Sequence, residues 1–177
     1  ENLNFVLEEF LMARMISEFV EMDLPDCNKG QCTNKAFKDH WDCFWHDMSI
    51  ENVGAEGFWS ATSKGELRPL GLTLCLALEK GSPKLCEHTC NRTVWPNLKL
   101  KLTRNKAGGG GDREHYITWH LQNCLLVKFV ERNSEDYDGD GIVDHVVEIT
   151  VLPEKISVKH EVDGIAGAFS FKDMSSK

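Results

Sequence analysis

From Leu70 to Leu78 every second residue is a leucine, alternating with Gly71, Thr73, Cys75 and Ala77. A period of two lines one face of a strand with apolar side chains and leaves smaller or polar ones on the other. A strand of this kind needs a sheet, so the run constrains the fold more than any other feature. The same spacing returns at Leu98, Leu100 and Leu102 around Lys99 and Lys101. It returns again at Ile117, Trp119 and Leu121, within a long strand from Tyr116 to Val130. His145 to Leu152, Ile156 to Val162 and Ile165 to Phe171 complete the set. The reading is an antiparallel sheet of about six strands joined by turns.

The N-terminal part reads differently. Asn2 to Met22 holds no Gly or Pro, and Phe5, Met12, Met15, Ile16, Phe19 and Val20 recur at helical spacing. An amphipathic helix stopped by Pro25 is expected. A second helix is expected from a Thr33 cap to about Met48, with Phe37, Trp41, Phe44 and Met48 on one face. Ser49 to Gly65 shows no period and reads as a long irregular connection. Gly81-Ser82-Pro83 ends the leucine strand, and Cys86 to Cys90 reads as a short cysteine-bearing loop. Gly108 to Gly111 is a glycine run with the uniformity of an inserted spacer, and a flexible tip is expected there. The expected fold class is α+β: N-terminal helices over residues 1–48 packed with a disulfide-stapled antiparallel sheet over residues 66–172, in a single domain spanning 1–177.

Charge and cysteine content narrow the function. The chain of 177 residues carries a formal charge of −8, which argues against a nucleic-acid partner. No apolar run reaches the length of a membrane span. No basic-then-apolar leader opens the sequence at Glu1, so an exported protein would have lost its leader. Seven cysteines and the sequon Asn91-Arg92-Thr93 point together to an oxidising, extracellular or luminal setting with disulfides and a glycan. Cys86, His88 and Cys90 offer a weak zinc alternative, since no second pair has finger-like spacing.

The most distinctive polar run is Asp136-Tyr137-Asp138-Gly139-Asp140-Gly141-Ile142-Val143-Asp144. Carboxylates at loop positions one, three, five and nine converge if the chain bends at a glycine, and hard oxygen ligands suit calcium. Position twelve is Val147 rather than the bidentate Glu of an EF-hand, and both flanks are strand-like. The run resembles the calcium loop of thrombospondin type-3 repeats and of FG-GAP repeats. That resemblance implies a Ca2+ site at Asp136, Asp138, Asp140 and Asp144.

One enzyme-like cluster competes. Cys43-x-x-His46-Asp47 resembles part of the helix signature of secreted phospholipases A2. The resemblance implies His46 as general base and Asp47 as a calcium ligand. Against it, Asp42 and Ser49 stand where that family has cysteines. The expected function is an extracellular calcium-binding recognition or assembly module with a protein partner and no catalytic residues. The alternatives are a calcium-dependent phospholipase and a small lipid carrier whose long helix closes over a concave sheet.

Overall fold

A computed structural model describes residues 17–23, 29–32, 34–53, 66–106, 113–136 and 141–171. Eight strands and one helix follow in order: β1 (Glu18–Met22), β2 (Trp41–Val53), β3 (Glu66–Ala77), α1 (Ser82–Asn91), β4 (Val94–Asn105), β5 (Arg113–Glu135), β6 (Asp144–Leu152), β7 (Lys155–His160) and β8 (Ala166–Ser170). Every pairing between strands is antiparallel.

The strand order β4-β1-β2-β3-β6-β5, with β4 also paired to β5, closes on itself as a six-stranded barrel. β5 is the spine. Its 23 residues would span on the order of 75 Å if straight, so the strand must bend to stay within a domain of this size. The bend falls at Asn123, which takes φ +51°. On one edge β5 pairs with β4 from Arg113 to Leu125. On the other it pairs with β7 up to Gln122 and with β6 from Leu125 onward. The register is continuous across the gap, since Gln122 faces Lys155 and Leu125 faces Leu152. β6 and β7 are thus one long strand interrupted at Pro153-Glu154. The Glu154 N–H closes the interruption by donating to the carbonyls of Gln122 and Asn123. Beyond it β3 stays on β6, whereas β8 pairs with β7.

The leucine alternation builds the interior. Leu72, Leu74 and Leu76 of β3 meet Leu98 and Leu100 of β4, Val147, Ile149 and Val151 of β6, and Trp41 of β2 in one core cluster. Lys99 and Lys101 take the outer face, as the period requires. α1 plugs one end, with Leu85 fully buried and His88 edge-on to buried Trp95.

Where residues 1–48 are described, they do not form the expected helices. Glu18–Met22 is a strand, and the rest of the first expected helix lies outside the described residues. The second is replaced by a short 3-10 turn (Lys35–Phe37) and the 13-residue β2. A bulge explains the misreading. The ladder from β2 to β3 slips between Cys43 and Trp45, so Phe44 is an extra residue. Trp41 and Cys43 before the bulge and Met48 after it then share the inner face, which imitates helical spacing. The α+β class gives way to a mostly β fold, and the loop expected at Cys86 to Cys90 is α1. The spacer-like run Gly108 to Gly111 and most of Ser49 to Gly65 lie outside the described residues.

Gly71 sits at a second slip in the β2–β3 ladder, opposite Ser49, with φ +105°. A Cβ there would lie 3.0 Å from the Val151 carbonyl oxygen. Gly71→Ala is expected to destabilise the fold by more than about 1 kcal/mol, read as a lower urea midpoint at unchanged slope.

Candidate assembly surface

Of the residues singled out in the sequence, those that are described lie in or beside the barrel. Asp136 and Asp144 flank the β5–β6 turn, while Asp138 and Asp140 lie outside the described residues. The Asp136 carboxylate accepts the Gly141 N–H at 2.8 Å, and Gly141 takes φ +86°. Asp and Gly commonly close a turn in this way. Among the described residues no group of three or more His, Cys, Asp or Glu side chains is placed to hold an ion.

His46 and Asp47 are neighbours on β2, not on a helix. Successive strand residues point to opposite faces, so the pair cannot work on one substrate. His46 Nδ1 is instead 2.8 Å from Glu18 Oε2 at the barrel mouth. Glu18 also accepts from the buried Cys43 thiol at 3.6 Å. The phospholipase reading fails on this geometry.

The expected disulfides are absent among the described residues. None of Cys32, Cys43, Cys75, Cys86, Cys90 and Cys124 is in a disulfide, and Cys27 lies outside the described residues. Burial pushes Cys124 up to about 12. Burial and the neighbouring Asp42 do the same for Cys32. Such thiols stay protonated and inert. The zinc alternative fails too: His88 faces the barrel end, whereas Cys86 and Cys90 face solvent.

What the fold does assemble is a polar network on the outer face of β1, β4, β5 and β7. Glu21 receives Lys99 Nζ at 3.0 Å and Lys101 Nζ at 2.8 Å. His40 Nδ1 donates to the Lys38 carbonyl at 3.0 Å, leaving Nε2 to face Lys101 Nζ at 2.9 Å. Burial pushes the Glu21 carboxyl up, but the two lysine bonds outweigh it and hold it at about 2. Farther along, Thr118 Oγ1 donates to Glu161 at 2.6 Å, and Lys159 pairs with the same carboxylate. Burial and the nearby Lys99 lower the His120 pKa, and His120 Nε2 bonds the Asn97 side-chain oxygen at 3.0 Å. Clefts of about 530 and 310 Å³ adjoin along this face and share Lys99. The alternation of lysine with leucine in β4 was the sequence signal for this face. Nothing in the spacing linked it to Glu21 or His40.

Apolar surface gathers at two turns. Ile142 and Val143 are exposed beside the β5–β6 turn, and Val162 and Ile165 beside the β7–β8 turn. Ile165 is 70 % exposed. β8 runs Ala-Gly-Ala-Phe-Ser without a charge, and among the described residues it pairs with β7 alone. An uncharged edge strand beside exposed Val and Ile is a template for another chain.

Two carboxyls set opposite pH responses. Burial and the Asp42 charge push Glu79 up to about 7, although the Gln31 N–H bonds it at 2.6 Å. Its proton therefore favours the fold below pH 4.5, and that contribution is lost as pH rises through 7. Glu21 is the reverse: its stabilisation is present above pH 4.5 and lost as pH falls toward 2. Thermal melts should show Glu79→Gln raising the melting temperature at pH 8 and leaving it unchanged near pH 4. Glu21→Gln should lower it at pH 7, with the difference shrinking below pH 4.

Comparison with known proteins identifies the barrel. A family profile described as "Type VI secretion system effector, Hcp" matches residues 19–160, which run from β1 to the end of β7. The fold is similar to that of an Hcp1 protein from E. coli EAEC 042 pathovar, with TM-score 0.72 and 13 % identity over 88 % of this chain and 99 % of that one. The secreted protein Hcp3 from Pseudomonas aeruginosa gives 0.67 and 14 %, over 87 % and 97 %. Hcp1 from Salmonella typhimurium gives 0.65 and 14 %, over 89 % and 95 %. No curated protein sequence matches the chain significantly. The family match replaces the thrombospondin type-3 or FG-GAP likeness, which rested on nine residues of one turn. It likewise replaces the extracellular calcium-binding, disulfide-bonded glycoprotein module built on that likeness. With most of its length, including every strand of the closed barrel, inside that match, the chain belongs to the Hcp family of type VI secretion system effectors.

Proposed function

We propose that the chain is a structural subunit of a type VI secretion tube, in which copies form hexameric rings that stack. The observation that carries this reading is the family match across the whole barrel. Two features of the surface support it. Exposed Val162 and Ile165 adjoin the uncharged edge of β8, and Ile142 and Val143 lie beside a different turn. A head-to-tail contact needs two different patches on one chain, and such contacts generate rings when the rotation closes. The role is mechanical rather than catalytic, and the protein partner is first of all another copy of this chain.

In this reading the protein leaves the cell by type VI secretion. An extracellular destination is kept, but the route is not an oxidising lumen. Cysteines on β2, β3, α1 and β5 that form no disulfide suit a chain that folds in a reducing compartment.

Native mass spectrometry of the purified chain should give a hexamer. Ile165→Asp should dissociate it to monomers with an unchanged far-ultraviolet spectrum, because the side chain is 70 % exposed in the single subunit. A wild-type chain that stays monomeric at high concentration would sink the ring reading.

A further inference from the structure

We propose that Cys86 and Cys90 form a two-thiolate site for a soft monovalent cation of the copper(I) class. The two residues lie four apart on α1, so they share one helix face with Cβ atoms about 5–6 Å apart. Both are exposed free thiols, whereas Cys32, Cys43, Cys75 and Cys124 are buried. α1 turns Leu85 and His88 toward the barrel end, and that orientation leaves Cys86 and Cys90 facing solvent.

The ligand count selects the metal. Thiolate sulfur is soft and suits Cu(I) or zinc. Structural zinc is held by four ligands. Among the described residues no third Cys, His, Asp or Glu joins this pair. His88 is buried against Trp95, and Glu87 is held by Lys84 at 2.8 Å. Copper(I) is satisfied by two thiolates in line, which one helical turn can supply. Cys90 also lies in the last turn of α1, where carbonyl groups carry partial negative charge and favour a cation.

Binding is an exchange of protons for metal without electron transfer. Each S–H bond breaks, two protons pass to solvent, two S–Cu bonds form, and copper remains Cu(I). Affinity should therefore rise with pH.

The test is an anaerobic titration of the full chain with Cu(I) buffered by bicinchoninate, followed by charge-transfer absorption. One copper per chain is expected, with two protons released for each. Cys86→Ser and Cys90→Ser should each weaken binding at least a hundredfold with an unchanged far-ultraviolet spectrum. Mass-mapped alkylation of the copper-loaded wild type gives a readout without variants: Cys86 and Cys90 should be protected together. Undiminished uptake by the double serine variant, one copper per two chains, or alkylation of Cys86 and Cys90 unaffected by copper would each overturn the proposal.

Discussion

Closure of the barrel rests on β1, the shortest strand of the circuit. Its five residues bridge β2 and β4, pairing with Trp41–Cys43 on one edge and with Leu98–Leu102 on the other. Without it the sheet would expose long edges of both partners. β1 is held on both faces as well as both edges. Val20 and Met22 enter the core, while Phe19 stacks on Phe37 at 4.0 Å with the rings nearly parallel. Glu21 adds the lysine bonds to β4 on the outer face. A barrel removes edges that an open sheet must protect by other means, so the surface features left over are few enough to interpret.

Those leftovers shape the functional reading more than any side-chain chemistry does. Carboxylates are plentiful, and the fold uses several of them in structure. Glu18 joins β1 to β2 through His46 and Cys43. Glu79 ties the β3–α1 turn to the loop at Gln31. Glu148, nearly buried, meets Arg132 at 3.1 Å across β5 and β6. The side chains of Val162 and Ile165 and the uncharged β8 face outward instead. They are the surface that the proposed contact between copies of the chain would use.

Every strand read from alternation is present, and β4 shows why: its leucines enter the core while Lys99 and Lys101 stay outside, and the period of two records that directly. The N-terminal part was misread for physical reasons that can be named. The bulge at Phe44 shifts the inward positions of β2 by one, which turns a strand pattern into one resembling a helix. β1 is buried on both faces, so its sequence carries no alternation to read. α1 did carry a signal, since Pro83 stands in its first turn, where proline is favoured. The strand-ending value of Gly81-Ser82-Pro83 masked it. The candidate site was barely legible: the aspartate run drew attention to a turn, whereas the proposed assembly surface depends on β8, which among the described residues pairs with β7 alone. Closure itself is a long-range fact, and no local spacing records that β4 pairs with β1 and β5 together.

Native-state amide exchange on the full chain, resolved at single residues, tests closure most directly. If β1 completes the barrel, the amides it donates to β2 and β4 will exchange as slowly as those of Leu98, Leu100 and Leu121, through the same global unfolding. Rapid exchange over Glu18–Met22, with β4 and β5 still protected, would mean an open sheet and would contradict the account.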